Sequence, residues 1–211
     1  MPDLDKDRIV EGWSPVRVGR RLIVLRETES TNDVVQRAAL AGEPEGFVAF
    51  AETQTRGRGQ YARRWESAAG LGLWFSCLLR PRWPLGRLPE MTPLVAVAVA
   101  NAMKVHARSG IRIKPPNDIH CAGRKLAGIL SEARTGNDVF VVVGIGININ
   151  HAEQDFPAEL RGTATSLAME TGAIQDRDRV AASVLQAIDS YYDPDVPPGL
   201  DVQKEYADLS R

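Results

Sequence analysis

The chain has 211 residues, 44% of them hydrophobic, with 26 lysines and arginines against 27 aspartates and glutamates, giving a formal net charge of −1. That hydrophobic share excludes global disorder, and the length suits one domain with a short appendage. The near-neutral balance excludes a chain drawn as a whole to nucleic acid or anionic membrane, so any attraction to phosphate has to be local.

In chain order, residues 1–21 read as an N-terminal extension. Its start, Met1-Pro2-Asp3-Leu4-Asp5-Lys6-Asp7, is acidic and lacks the apolar stretch of a secretory signal. Residues 21–25 read as a first strand. Ser30-Thr31-Asn32-Asp33 supplies capping residues ahead of Val34, Val35, Ala38 and Ala39, which share one helical face; Gly42 and Pro44 stop that helix. Residues 47–51 are an apolar, buried strand. The segment 56–65, Arg-Gly-Arg-Gly-Gln-Tyr-Ala-Arg-Arg-Trp, fits neither helical nor strand period and reads as a loop. A strand over 71–79 follows, alternating around Leu73, Phe75 and Cys77, then a helix from near Pro89 to His106. Its apolar run, 94–103, is about half of the ~20 residues a bilayer span needs, so a buried helix is expected.

Residues 111–113 begin a strand that Pro115-Pro116 ends, holding Asn117 and Asp118 in a turn. Strands at 126–132 and 139–149 pair through a turn at Thr135-Gly136-Asn137-Asp138. Beyond His151 the pattern is helical, at 165–171, 179–192 and 200–211. Asp176-Arg177-Asp178-Arg179 reads as a solvated helix start. The fold class is α+β, with helices packed on one face of a sheet. Cys77 and Cys121 form neither a disulfide framework nor a CxxC zinc pair, which fits a reducing cytoplasm.

Two basic stretches carry the chemistry. In the first, Gly57 and Gly59 leave backbone N–H groups open to an anion, while Arg56, Arg58, Arg63 and Arg64 can clamp phosphate or carboxylate oxygens. The alternative is a solvated or RNA-contacting loop. In the second, Lys114 and Lys125 flank a proline-stiffened turn. Lysine suits charge developing at a transferring phosphorus centre, and Asp118 can hold Mg²⁺ in a nucleotide complex. The alternative is an ordinary surface hairpin, but Lys125 stands at the mouth of a buried strand in which Gly128 admits close approach. A third segment, 143–150, is a core strand or places Asn148 beside a nucleotide; it lacks the third glycine of a dinucleotide fingerprint. His106, His120 and His151 have no metal-ligand spacing. There is no P-loop and no GxSxG elbow.

Taken together, the ordered motifs resemble the biotin protein ligases. Ser30-Thr31-Asn32, Gln54-x-x-Gly57-Arg58-Gly59, Arg63-Arg64-Trp65, Lys114 to Asp118, Lys125-Leu-Ala-Gly-Ile-Leu130, Gly144-x-Gly146-x-Asn148 and Ala164-Thr-Ser-Leu167 occur in the family's order. The resemblance implies a class II synthetase-like catalytic domain over 22–211, with a mixed, mostly antiparallel sheet, no N-terminal winged helix, and a C-terminal β-barrel absent or truncated. It implies activation of biotin by Mg–ATP to biotinyl-5′-AMP, then transfer to a lysine of a biotin carboxyl carrier protein in the cytoplasm. Nucleic acid and membrane are not expected partners; a homodimer is open to it.

By similarity Lys125 and Arg58 are catalytic. Ser30, Thr31, Asn32, Gln54, Gly57, Arg58, Gly59, Gln60, Lys125 and Gly128 would bind biotin. Arg56, Arg63, Trp65, Lys114, Asn117, Asp118 and Asn148 would bind ATP, with Asp118 at the metal. Three departures stand out: Gln60 for a common arginine, Ala62 for a common glycine, and Pro115 for the tryptophan of Lys-Trp-Pro-Asn-Asp. The first bears on adenylate retention, the second on loop stiffness, the third on a lost packing surface. The rivals are a lipoate or octanoate ligase and a nucleic-acid-binding module using the arginine loop.

Overall fold

The structure, a computed structural model, describes residues 3–107, 110–136 and 138–211. Met1 and Pro2 of the acidic start and Asn137 of the expected 135–138 turn lie outside the described residues, as does the side chain of Ala62. The elements in chain order are α1 (Lys6–Ile9), β1 (Arg21–Thr28), α2 (Thr31–Leu40), β2 (Phe47–Gln54), β3 (Gly72–Leu79), α3 (Met91–His106), β4 (Ile111–Lys114), β5 (Asp118–Cys121), β6 (Arg124–Arg134), β7 (Phe140–Asn148), α4 (Leu167–Thr171), α5 (Arg177–Tyr191) and α6 (Leu200–Leu209). The seven strands make one sheet in the order β1-β2-β3-β7-β6-β5-β4. Only β1 and β2 run parallel; the other neighbours are antiparallel. This is the mixed, mostly antiparallel α+β sheet that the sequence predicts.

The central strands are apolar on both faces and need cover on both. Val48 and Phe50 of β2, Phe75 of β3 and Val143 of β7 pack with α3 and α5 in the main core. Phe47, Ala49, Leu78, Phe140 and Val142 pack against Val35 and Ala39 of α2 on the other face. The helices are therefore not all on one face: among the described residues α2 alone takes the second, because the unbroken apolar run of β2 leaves two faces to bury. The interior of α3 is buried all round between Leu94 and Ala100, as a helix apolar on every side must be. It begins at Met91, while Pro89 lies in a preceding 3₁₀ turn (Leu85–Glu90).

The hairpin before β6 was not legible. β5 enters it from a bulge between Ile119 and His120, and leaves it through Ala122 and Gly123 at φ +48° and +80°. Two positive φ values in a two-residue turn match the twist of a tight hairpin, but alanine is an unusual occupant of the first position.

The N-terminal segment is docked on the sheet and α5. Leu4, Ile9 and Val18 belong to the main core. The Asp189 carboxylate of α5 accepts three successive backbone N–H groups, from Val16, Arg17 and Val18, at 2.9, 2.6 and 2.8 Å. Asp189→Ala would leave those donors without a charged acceptor; a loss of about 2 kcal/mol in chemical denaturation is expected, each such bond being worth roughly 1.5–3 kcal/mol and water recovering part. A loss under about 0.5 kcal/mol would show that the carboxylate does not hold the segment.

Candidate active site

One cleft of about 1120 Å³ opens across the strand ends, lined on one side by the start of α2, the Arg/Gly loop and β2, and on the other by the β4–β5 turn, β6, β7 and the segment 151–164. Because β2 and β6 are separated in the sheet by β3 and β7, the Gln54 and Lys125 sides stand three strand spacings apart, roughly 14 Å.

On the α2 side the polar groups are buried and mutually bonded. Ser30, the residue before α2, is 3% exposed, as is Thr31, and Asn32 is 4% exposed. The Thr31 N–H donates to Gln54 Oε1 at 2.9 Å, and Gln54 Nε2 donates to Ser67 Oγ at 3.0 Å. Thr31 Oγ1 and Ser76 Oγ share a hydrogen bond of 2.7 Å, and Ser76 Oγ donates to Asn32 Oδ1 at 2.6 Å. From Gln54 through Thr31 to Ser76 the bonded side chains are uncharged, which suits a neutral ligand group with fixed donors and acceptors; charge enters only beyond Asn32, whose Nδ2 donates to Glu132.

The floor is made by glycines. A Cβ at Gly146 would come within 2.4 Å of the Trp65 ring, one at Gly128 within 2.8 Å, and one at Gly144 within 2.2 Å of Asn32 Oδ1. Trp65 thus lies flat on β6 and β7, and Lys125 Nζ sits 5.2 Å from the centre of its ring. Lys125 is tethered through its backbone, its N–H donating to Thr163 O at 2.8 Å and its carbonyl accepting from Thr165 N–H at 2.9 Å. Asp118 at the start of β5 meets it, with Nζ and Oδ1 2.8 Å apart.

The remaining expected residues fall variously. Gly59, Gln60, Arg63, Trp65, Lys114, Asn117, Asp118, Gly128 and Asn148 line the cleft, as do Arg58 and Lys125. Arg56 and Gly57 do not. Arg56 lies outside against Glu29 at 3.7 Å, and Gly57 is buried behind the loop, where a Cβ would meet the Trp65 carbonyl oxygen at 2.4 Å. The Asn117 amide donates to Ile129 O at 2.6 Å and the Asn148 amide to Thr165 O at 3.0 Å, so both brace the walls. Arg58 is engaged by Asp33 at 2.7 Å and Glu132 at 3.1 Å. Lys114 is exposed at the mouth.

Sequence reasoning missed the wall 151–164. His151 is 4% exposed and stacks on Phe156 at 4.9 Å. Burial drives its pKa down to about 4, against a smaller opposing pull from Asp155, so the ring is neutral near pH 7. Arg161 pins the wall by donating to the carbonyls of Phe156 and Gln154 at 3.0 and 3.2 Å. No spacing in the sequence announces this, since the partners are backbone carbonyls. The Asp176–Arg179 segment also differs from expectation. Asp176 caps α5, but Arg177 and Asp178 are 6% and 5% exposed rather than solvated, because Arg177 turns inward to Glu52 of β2. Among the described residues no helix is long and apolar enough to cross a membrane, and no cluster of three or more His, Cys, Asp or Glu is poised for a metal.

Comparison with known proteins is consistent across sequence and structure. The family model described as "Biotin/lipoate A/B protein ligase family" matches residues 24–150. A bifunctional ligase/repressor BirA from Bacillus spizizenii is 38% identical over 191 residues, covering 90% of this chain and 59% of that protein. A biotin–[acetyl-CoA-carboxylase] ligase from Mycobacterium tuberculosis is 33% identical, covering 90% and 71%. The biotin protein ligase from Aquifex aeolicus in complex with biotin and ATP superposes with a TM-score of 0.70 at 31% identity, covering 90% of this chain and 73% of that one. The chain spans 59% of the length of the BirA relatives from Bacillus.

Proposed function

This chain belongs to the biotin/lipoate A/B protein ligase family, and on that premise we propose that it activates biotin with ATP to biotinyl-5′-AMP and transfers the biotinyl group to a lysine of a biotin carboxyl carrier protein. One observation carries the reading: a single cleft offers an uncharged hydrogen-bonding lining, Thr31 and Gln54, and across the sheet the ammonium of Lys125. Biotin has a neutral ureido ring at one end and a carboxylate at the other. The Aquifex relative, solved with biotin and ATP, supports the same pairing of ligands.

In the first step a biotin carboxylate oxygen attacks the α-phosphorus, and the bond to pyrophosphate breaks. Negative charge grows on the α-phosphate oxygens while two anions are brought together, so the task is positioning and charge neutralisation. We assign that task to Lys125, with Lys114 and Arg63, which also line the cleft, for the outer phosphates. Mg²⁺ would enter on the triphosphate: a lone carboxylate such as Asp118 fits an ion that takes most ligands from phosphate and water. In the second step the carrier amine attacks the acyl carbon, AMP leaves, and the amine proton goes to solvent. Gln60 carries no charge to hold the adenylate, so its retention falls to the remaining loop contacts. The location proposed is the cytoplasm.

A lipoate or octanoate ligase is not favoured, because the Mycobacterium tuberculosis relative and the Aquifex aeolicus structure are both biotin ligases. Exchange of labelled pyrophosphate into ATP tests this. Biotin is expected to drive it and lipoate not; exchange with lipoate and none with biotin would overturn the assignment.

A further inference from the structure

Arg58 joins the loop to two other elements. Its guanidinium donates to Asp33 of α2 at 2.7 Å and to Glu132 of β6 at 3.1 Å. The Glu132 oxygen that receives Arg58, Oε2, also accepts from Asn32 Nδ2 at 2.5 Å. Asn32 is buried, and its own oxygen accepts from Ser76, which is bonded in turn to Thr31. Gly144 makes the approach possible, since any side chain there would occupy the space of the Asn32 amide.

An exposed ion pair by itself contributes little. Glu132 and Arg58 are both partly exposed, at 44% and 39% of their side chains, so their charge attraction alone would not matter much. What distinguishes Glu132 is its second partner. The Asn32 amide is the end of a buried chain of hydrogen bonds leading to Gln54, and networks of this kind are worth more than isolated pairs.

We infer that Glu132 is a positioning residue: it orients Asn32 and, through Arg58, holds the Arg/Gly loop against the cleft before any ligand arrives. The geometry is independent of the reaction; the kinetic consequence rests on the function proposed above. A loop already in place loses less freedom when substrate binds. Losing Glu132 then weakens substrate binding and leaves the chemical step at Lys125 alone.

Trypsin reports on the loop directly, because Arg56, Arg58, Arg63 and Arg64 all lie in it. In ligand-free protein, Glu132→Ala is expected to be cut in this segment roughly five- to tenfold faster than the parent, the scale of one charge-assisted hydrogen bond network lost. Glu132→Gln keeps an acceptor for Asn32 without the charge and is expected in between. In biotin-dependent pyrophosphate exchange, Glu132→Ala should raise KM for biotin by a similar factor with kcat within about twofold. Cleavage at the parent rate in both variants would overturn the clasp, and a fall in kcat at unchanged KM would overturn the positioning role. Should Glu132→Ala fail to fold, Glu132→Gln decides by the same two readings. A parent that exchanges no pyrophosphate with biotin would sink the functional reading, while the ligand-free digestion still decides the clasp.

Discussion

Lys125→Ala is expected to lower biotin-dependent adenylate formation by on the order of 10²–10³-fold, as removal of one preorganised charge partner of a transition state does elsewhere. The ammonium lies in the cleft with Asp118 at 2.8 Å and the Trp65 ring beneath it. Among the described residues Lys125 is the cation that lies over the Trp65 ring, whereas Arg58 is held by Asp33 and Glu132 and Arg161 by backbone carbonyls. The fold should survive, because the Lys125 side chain is partly exposed and its backbone bonds to Thr163 and Thr165 need no ammonium. Circular dichroism and the melting midpoint should match the parent to within a few degrees. Lys125→Arg should not restore the rate, since a planar fork cannot reproduce a compact charge at the same point. A Lys125→Ala protein adenylating biotin at the parent rate would remove Lys125 from the mechanism.

The largest stability loss is expected from Arg177→Ala. Arg177 and Glu52 are buried together, with their guanidinium and carboxylate 2.8 and 3.1 Å apart at the two donor nitrogens, and Arg177 also donates to Gly72 O. Glu52 accepts from the Leu4 N–H at 2.6 Å, so the pair fastens the N-terminal segment, β2 and β3 at one point. Removing the arginine strands a buried carboxylate, which costs about 3–5 kcal/mol. For a chain of this size that is a fall in Tm of roughly 10 °C. Replacing both partners by apolar residues of similar volume should recover most of it, because the penalty lies in the unpaired charge rather than in the missing attraction. A single-variant loss below about 1 kcal/mol would mean that water reaches Glu52. Since Glu52 is two residues from Gln54 on β2, the variant is also expected to bind biotin less well.

Much of the fold was legible because burial writes itself into composition. Residues 47–51, 71–79 and 139–149 are apolar enough to be central strands, and the all-apolar stretch of α3 could only be interior. The second face was not legible, because an unbroken apolar run does not say how many layers cover it. β5 escaped because its four residues alternate too briefly and its turn uses alanine in a left-handed conformation. In the site, Gly59, Gly128, Gly144, Gly146, Lys125, Asp118 and the Thr31–Gln54 pair were marked by local motifs and do meet in one cleft. The partners that give these residues their character were hidden. Glu132, Asp33 and Ser76 lie far away in the chain, and Arg177 looked like a surface charge until Glu52 was placed opposite it. Long-range pairing of polar groups leaves no period to read.

The central claim is that one cleft takes biotin and ATP together, and thermal unfolding with each ligand and with both tests it most directly. Ligands that bind the native state raise Tm by mass action. Biotin alone and Mg–ATP alone are expected to give modest increases, and the pair an increase greater than their sum, lost in Lys125→Ala. An unchanged midpoint with biotin at any concentration, or strictly additive shifts in the parent, would contradict a shared site.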